Sequence, residues 1–474
     1  MDTPLYQTRS RSHVSLQPAQ AFGAGPVMTL LAAFFLIHVN LAGRFPLILP
    51  EHLGFMEMGT VSTWLAQYGT SHVPGAVGTR FGFILLSILT SILTFSIARR
   101  ADTSRLAPAL ALIWLNTTLA FGLGSVLAHN AGIVVAALAL MLWAGTRALS
   151  GKGEIWWLIA ATGAAGAIAT DPKAAVFVLG LAGLPLFGGL MGFARSFGFL
   201  AFLTISGFVL VLGLQDQAVP VLSLPQVDWS IVQGSGAMSL EAMAILIILL
   251  GPVLLALAIA GAFTAFRAQT GQPIWPARFL VLSALPGLVL MTWLSGPAYA
   301  ALLSAPAVAV LAAIGACRAQ RFFGRWLADA ATPVAVLGFL TGMTLLAFPS
   351  NALLARLPMV PDTVGWPSLT ASLQAEAAGR GLSWIASEGG SVANWTERLT
   401  GLPAARVTQS GPTDKIACLG KGLFVTRSSD ISAVLGHFTS FVVIGQASRA
   451  LRGQVLETYT IFEVGSPSRP GACG

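Results

Sequence analysis

The stretch that decides the fold is FGFILLSILTSILTFSIA, residues 81–98, an apolar run without a single Asp, Glu, Lys or Arg. It lies between Arg80 and the pair Arg99-Arg100. A helix of about 20 apolar residues is long enough to cross the hydrocarbon core of a bilayer. The run therefore predicts a transmembrane helix with basic residues at both ends.

Ten further apolar runs predict additional spans at 27–43, 106–124, 131–147, 155–170, 174–192, 197–214, 242–264, 279–294, 298–316 and 332–349, and the one charged residue in them is Arg147, the last residue of its run. The fold class is therefore mainly α, a polytopic helical bundle of about eleven spans. One alternative stays open, because only Asp171-Pro172-Lys173 separates 155–170 from 174–192. Those two runs could form one broken helical hairpin.

The composition supports the same class. Of 474 residues, 55% are hydrophobic and only 9% are charged, with a mean hydropathy of +0.77. An ordinary soluble domain carries far more charge. A formal charge of +8 in a soluble protein would suggest a nucleic-acid partner. In a membrane protein the same excess anchors the cytoplasmic face, so we expect no nucleic acid.

Basic and acidic residues alternate between successive gaps, which predicts the orientation. By the positive-inside rule the basic gaps are cytoplasmic, and they hold Arg9, Arg11, Arg99, Arg100, Arg105, Arg147, Lys152, Arg195, Arg267, Arg278, Arg318, Arg321 and Arg325. Residues 1–26 are then a cytoplasmic tail, 27–43 is an uncleaved signal anchor, and 27–349 is the membrane domain. An odd number of spans places 350–474 outside.

Residues 350–474 change to a mixed composition with alternating apolar residues. Strands are predicted at 382–386, 422–426, 441–445 and 459–464, and a short helix at 432–438. The segment therefore predicts a small α/β domain. Cys418 and Cys473 lie within it and could form a disulfide in an oxidising compartment, or remain two free thiols; Cys317 ends a span on the reducing side.

The first outer loop, 44–80, and the other outer gaps contain the acidic residues Glu51, Glu57 and Asp171. Transporters usually need ionisable groups near the bilayer midplane, and the predicted spans contain no Asp, Glu, Lys or Arg apart from Arg147 at the end of 131–147. Carboxylates at the boundary favour chemistry on a lipid-borne substrate. The alternative is that each is a solvated loop residue.

Gly78-Thr79-Arg80-Phe81, followed by a span that ends in Ala98-Arg99-Arg100, resembles the second span of bacterial GT-C superfamily membrane glycosyltransferases. The group is the family 39-like one, related to protein O-mannosyltransferases and lipid A aminoarabinose transferases. Further similar segments, in the same order, are Arg44-Phe45-Pro46, Trp293 with Pro297-Ala298-Tyr299-Ala300, and Leu423-Phe424-Val425-Thr426 with Tyr459-Thr460-Ile461-Phe462.

The resemblance implies an inverting transfer of sugar from a polyprenyl-phosphate donor to a lipid, glycan or protein acceptor. It places the protein in the bacterial inner membrane, with the reaction and the C-terminal domain on the periplasmic side. Glu57, with Glu51 as runner-up, is the expected base. The remaining expected roles are phosphate binding by Arg44, Arg80 and Lys173, and sugar or acceptor contacts by His72, His129, Asn130 and Asp171. Interfacial anchoring is the alternative for the basic residues.

The chain also departs from the pattern. The Asp expected beside Glu57 is Met56, a second expected acid is Asn130, and the expected Thr-Lys is Thr170-Asp171. These losses keep two alternatives open, a catalytically inactive relative that binds lipid-linked glycans, and a transporter or flippase. No cofactor is expected; the metal alternative is a zinc site built from His52, His72, His129, Glu51 and Glu57.

Overall fold

A computed structural model describes the chain over residues 24–44, 60–124, 130–184, 196–216, 240–266, 274–323, 337, 365–387, 392–393, 396–397, 400–408, 411–412, 420–427, 438–451 and 454–466. These residues fall into two compact units. The helical unit takes the described residues up to 337, and the α/β unit takes those from 365 onward.

The helical unit contains thirteen α-helices within its described residues: α1 Ala24–Arg44, α2 Thr60–His72, α3 Gly75–Ala101, α4 Ala107–Thr117, α5 Leu119–Gly124, α6 Asn130–Leu149, α7 Ile155–Thr170, α8 Ala175–Leu179, α9 Phe197–Asp216, α10 Leu240–Leu250, α11 Pro252–Phe266, α12 Ile274–Ser295 and α13 Pro297–Phe323. Short 3₁₀ turns at Pro172–Ala174 and Gly180–Gly183 flank α8.

Five of these helices are long and apolar enough to cross a bilayer, namely α1, α3, α6, α12 and α13. The pair α10 and α11 meets the same test as one bent span, which makes up to six among the described residues. Shorter apolar helices occupy Ala107–Thr117, Ile155–Thr170, Pro172–Gly183 and Phe197–Leu212. The predicted span at 332–349 lies almost entirely outside the described residues.

Helix α13 is the centre of the helical unit, and it packs against α3, α4, α6, α11 and α12. Its alanine-rich sequence lets neighbouring backbones approach closely. A Cβ added to Gly261 of α11 would lie 1.9 Å from the carbonyl oxygen of Leu311, and one added to Gly315 of α13 would lie 2.0 Å from that of Leu257. Small residues at both positions therefore allow this pair of helices to pack.

One predicted span, 242–264, is bent in the structure. The structure ends α10 at Leu250 and starts α11 at Pro252, with a bend of 91° between them. Gly251 makes the turn with φ +89°, a conformation that other residues rarely adopt. Because both halves are apolar, hydrophobicity alone does not reveal the break. The predicted span 106–124 is similarly divided, at Thr118, into α4 and α5.

The α/β unit consists of helix α14, Trp366–Arg380, and six strands: β1 Ile385–Ser387, β2 Ala404–Thr408, β3 Gly411–Pro412, β4 Gly422–Thr426, β5 Phe441–Leu451 and β6 Gln454–Val464. The strand order is β3-β2-β1-β4-β6-β5. Strand β1 runs parallel to β2 and β4, whereas β4 and β5 pair with β6 antiparallel.

Clusters of buried side chains lie against β1, β4 and β6 of this sheet, whereas Phe441, Val442 and Val443 at the start of the edge strand β5 are more than half exposed. Helix α14 covers one face, where Leu369 and Leu373 pack with Leu423 and Ile461. Trp384 and Phe424 contribute to a second cluster with Phe438 and Phe462. The strands predicted at 422–426, 441–445 and 459–464 lie within β4, β5 and β6, whereas the one predicted at 382–386 shares only Ile385 and Ala386 with β1; β2, β3 and α14 are additional. The predicted helix at 432–438, apart from its last residue, lies outside the described residues, as do Cys418 and Cys473.

Candidate functional site

The helix directions bring several of the expected site residues to one end of the helical unit, the polar end. This end contains the last turn of α1, the first turns of α3, α6 and α13, and the turn after α7. Side-chain contacts join these elements directly, as the bonds Arg80 to Ala42 and Tyr299 to Asp171 show. Separate stretches of sequence thus meet at one place.

Asp171 has a hydrogen bond to each of its two carboxylate oxygens. It is half-buried and follows Thr170, the last residue of α7. Its Oδ2 accepts a hydrogen bond of 2.6 Å from the hydroxyl of Tyr299, in the first turn of α13. Its Oδ1 accepts a bond of 3.0 Å from the backbone N–H of Lys173. Both carboxylate oxygens are thereby held in place.

The Lys173 side chain is exposed, and its residue belongs to the 3₁₀ turn that Asp171 caps. An Asp that accepts from a backbone N–H two residues ahead is the usual way to begin such a turn. Lys173 therefore follows Asp171 by two residues in the chain, and its side chain is exposed to the surroundings of the protein.

Arg80 is fully buried at the start of α3. Its Nη1 donates a hydrogen bond of 2.8 Å to the carbonyl oxygen of Ala42, near the end of α1. A cation near the C-terminal end of a helix is stabilised by the exposed carbonyl groups there. Arg80 thus ties α1 to α3. Arg44 ends α1, and its side chain is outside the described part of the chain.

Asn130 begins α6, and its Oδ1 accepts a hydrogen bond of 2.5 Å from the hydroxyl of Ser62 in α2. Its amide oxygen is therefore engaged in joining two helices. An amide cannot take up a proton at neutral pH. The structure accordingly gives Asn130 a helix-linking contact where the resemblance implied a sugar contact.

His72 ends α2 and is exposed. Its ring lies 4.5 Å from that of Tyr68, and Nδ1 lies 2.8 Å from the Tyr68 carbonyl oxygen. Trp64 stacks on Tyr68 in turn, which produces a row of aromatic rings along α2. No contact joins His72 to Asp171 or Asn130 among the described residues.

The expected base Glu57, the runner-up Glu51, and His129 lie outside the described residues, as does His52. The described residues contain no group of three His, Cys, Asp or Glu side chains that could hold a metal ion. Of the five residues in the zinc alternative, only His72 is described, so the structure does not test that alternative.

Three residues of the helical unit form side-chain hydrogen bonds that the sequence did not predict. Tyr299 was noted only as part of a similar segment, and Ser62 carries no signal in the sequence. The third is His38 in α1, which is buried, with Nδ1 3.0 Å from the hydroxyl oxygen of Ser87. Ser87 also lines a small cavity between Phe83, Phe121 and Leu302.

Chemically, the polar end offers an oriented carboxylate with a neutral hydroxyl donor beside it. An ionised carboxylate can accept about four hydrogen bonds, and the described contacts of Asp171 account for two. The remaining capacity suits a hydroxyl or an ammonium group of a ligand.

Comparison with known proteins identifies a family for part of the chain. Residues 60–212 match the family described as dolichyl-phosphate-mannose-protein mannosyltransferase. The matched segment includes Arg80, Asn130, Asp171 and Lys173. No curated protein matches the chain in sequence.

Two solved structures of ArnT from Cupriavidus metallidurans share the fold. The ArnT structure bound to undecaprenyl phosphate has a TM-score of 0.59 and 13% identity, and the match covers 95% of this chain and 99% of that one. The structure in the apo state has a TM-score of 0.57 and 13% identity, with 93% and 98% covered. The chain is thus a helical protein of the ArnT fold with a small sheet.

Proposed function

We propose that this protein is a membrane glycosyltransferase that transfers a sugar from a polyprenyl-phosphate donor to a lipid, glycan or protein acceptor. The observation that carries the proposal is the family match at residues 60–212, set in the fold of an enzyme that was captured with undecaprenyl phosphate. The polar end supports it, because a carboxylate and basic residues lie on the same domain.

The topology is part of the proposal. About eleven spans, with residues 1–26 cytoplasmic and 350–474 periplasmic, follow from the alternation of basic and acidic gaps. The polar end would then face the periplasm in the bacterial inner membrane. The opposite end, where Arg100, Arg147 and Arg318 terminate their helices, would face the cytoplasm.

In the proposed reaction the acceptor oxygen attacks the anomeric carbon of the donor sugar. The bond from that carbon to the phosphate oxygen breaks, and polyprenyl phosphate leaves with inversion at the carbon. Glu57, with Glu51 as the second candidate, takes the proton of the acceptor hydroxyl. Arg44, Arg80 and Lys173 would stabilise the negative charge that develops on the phosphate.

The buried position of Arg80 refines its role in this scheme. Its guanidinium already binds the carbonyl oxygen of Ala42, so it contributes through the position of α1 and its charge. Lys173 is exposed and free to reach a phosphate at the membrane boundary. His72, His129, Asn130 and Asp171 remain the proposed sugar or acceptor contacts, and Asp171 has both carboxylate oxygens held by hydrogen bonds.

A second candidate function is a catalytically inactive relative that binds a lipid-linked glycan. The observation that favours it is the Asn130 amide, which stands where an acid was expected and is engaged by Ser62. Such a protein would keep the proposed phosphate contacts of Arg44, Arg80 and Lys173 without transferring the sugar.

Mass spectrometry of envelope glycolipids and glycoproteins from a deletion strain tests the function. Loss of one hexose or pentose mass would identify donor sugar and acceptor together. Unchanged profiles under several growth conditions would favour the inactive relative.

A Glu57→Gln variant separates the two candidates at the level of one residue. If the protein is a transferase with Glu57 as its base, the Glu57→Gln variant should accumulate normally but form no product. Glu51→Gln tests the second candidate base in the same way. Glu376→Gln, in the exposed part of α14, is the matched control. Donor movement across liposomes without a glycosidic product would instead indicate a transporter.

A further inference from the structure

At the end of the helical unit opposite Asp171, five residues form a basic cluster lined by indole rings. We define the Arg147 cluster as Ser96 and Arg100 of α3, Trp143 and Arg147 of α6, and Trp156 of α7. All five are half-buried. None of them has a role in the proposed transfer reaction.

Arg147 is held between the two indoles. Its guanidinium carbon lies 4.5 Å from the ring centre of Trp143 and 4.2 Å from that of Trp156. The two rings meet edge to face with their centres 5.3 Å apart. Stacking on the indoles fixes the plane of the guanidinium. The N–H groups lie in that plane, so they can still donate hydrogen bonds to a group beside the rings.

Arg100 is joined to the same rings through Ser96. The hydroxyl oxygen of Ser96 accepts a bond of 2.8 Å from Nη1 of Arg100 and one of 3.0 Å from Nε1 of Trp143. Arg100 also lies within electrostatic range of Arg147 and of its neighbour Arg99. Two guanidinium groups are therefore held close together.

Neither guanidinium has a carboxylate partner among the described residues, and Nε of Arg147 is buried there without a hydrogen-bond acceptor. Arg318, at the same end of the unit, shows the contrast, because its Nε lies 2.9 Å from Oδ2 of Asp102. Buried charges are normally paired, so two oriented and unpaired guanidinium groups point to an anion from outside the chain.

We propose that the Arg147 cluster binds the phosphate group of an anionic phospholipid at this end of the spans. Arginine forks match the geometry of phosphate oxygens, and indole rings are enriched at the level of the lipid headgroups. Ile155 and Leu158, beside Trp156 on α7, are 61% and 38% exposed, which provides an apolar surface for the acyl chains. A soluble anion would not require that surface.

The test uses the delipidated full-length protein in detergent, with phosphatidylglycerol, phosphatidylcholine and inorganic phosphate as probes. Retained lipid is counted by native mass spectrometry, and the thermal unfolding midpoint is followed by lipid titration. We expect phosphatidylglycerol to bind and to raise the midpoint, while phosphatidylcholine and inorganic phosphate do so far less.

Arg147→Lys is the decisive variant, because it keeps the charge but removes the stacked planar fork. We expect it to weaken phosphatidylglycerol binding roughly fivefold, about the contribution of one stacked cation–π contact of about 1 kcal/mol, because lysine keeps the charge but loses the fixed guanidinium plane. Arg99→Lys is the matched control, since Arg99 is exposed and lies at the same end; it should bind as the parent does. Arg100→Gln provides a second variant if Arg147→Lys fails to accumulate.

Three results would overturn the proposal. Equal effects of Arg147→Lys and Arg99→Lys would mean that only the general positive charge attracts lipid. Equal binding of phosphatidylglycerol and phosphatidylcholine would remove the requirement for an anion. Stabilisation by inorganic phosphate equal to that by phosphatidylglycerol would assign the cluster to a free anion.

Discussion

The hydroxyl of Tyr299 donates a hydrogen bond of 2.6 Å to Oδ2 of Asp171, although the two residues are 128 positions apart. The bond joins the turn after α7 to the first turn of α13. It orients a carboxylate at the end of the helical unit where Arg80 and Asn130 also lie. This pair connects the fold most directly to the proposed reaction.

Tyr299→Phe should lower the transfer rate about 10- to 100-fold, because a displaced contact residue can reduce a rate by that much without changing the chemical groups. The measurement is product formation from a polyprenyl-phosphate sugar, with kcat and KM determined separately. Tyr68→Phe removes the same atom from an exposed ring of α2 and serves as the control. Full activity in both Tyr299→Phe and Asp171→Asn would exclude the pair from the site.

Arg318→Gln should destabilise the helical unit by about 3–5 kcal/mol, since it leaves the carboxylate of Asp102 buried and unpaired. Both side chains of this ion pair are at most 4% exposed. Thermal unfolding in detergent measures the loss. The exposed pair Arg380–Glu376 is the comparison, and Glu376→Gln should change stability by no more than about 0.5 kcal/mol. Equal effects of the two variants would mean that burial of the first pair has no energetic consequence.

Gly261→Ala should cost about 1–3 kcal/mol, the usual range for overpacking a close contact. The new methyl group would lie 1.9 Å from a backbone oxygen of α13, so one helix must move. Gly207→Ala in α9 is the matched control, because a Cβ there meets nothing within 4 Å. It should be neutral or stabilise the helix by up to about 1 kcal/mol. If both variants unfold at the same temperature, α11 and α13 are not in tight contact.

The α/β unit should lose stability in acid through Glu457. Burial raises the pKa of this carboxyl, but the hydrogen bond from Tyr459 and the charges of Arg449 and Arg427 outweigh it and hold the pKa below its usual value. A carboxyl whose pKa is lowered on folding stabilises the folded state above its unfolded pKa of about 4.3. That contribution disappears as the pH falls through the lower, folded value.

Glu457→Gln should therefore be less stable than the parent at pH 7 and should lose less on acidification. Hydrogen exchange of β5 and β6 in the full-length protein, corrected for the intrinsic exchange rate at each pH, provides the measurement. Glu376→Gln, which changes an exposed carboxylate, should retain the parent's pH profile. A Glu457→Gln profile parallel to that of the parent would assign the acid sensitivity to other groups.

Local sequence predicted most of the elements, because the periodicity of apolar residues is a local property. The run 155–170 is helix α7 residue for residue, and 422–426 is strand β4. Helix α14 was not expected, since its mixed residues Ser368, Gln374 and Glu376 show no apolar repeat strong enough to stand out. The bend at Gly251 was also missed, because an apolar run has the same composition whether it is straight or broken.

The candidate site was less predictable than the fold. Asp171 and Arg80 were chosen for their residue types and their side of the membrane, but their partners are distant in sequence. Ser62 and Ala42 have no feature that marks them as contacts, because any hydroxyl or carbonyl group at those places would serve. The departure at Asn130 was visible in the sequence, and the structure added that its amide oxygen accepts a hydrogen bond from Ser62.

By itself, the sequence determined that this is a helical protein with membrane-length apolar helices and a small α/β unit. Hydrophobicity and strand alternation depend on neighbouring residues and on the solvent that surrounds them. Only the tertiary structure decided that Tyr299 orients Asp171, that Arg80 bonds to Ala42, and that Arg147 lies between two indoles. Those pairings depend on helix direction and packing, which the spacing of residues along one chain does not specify.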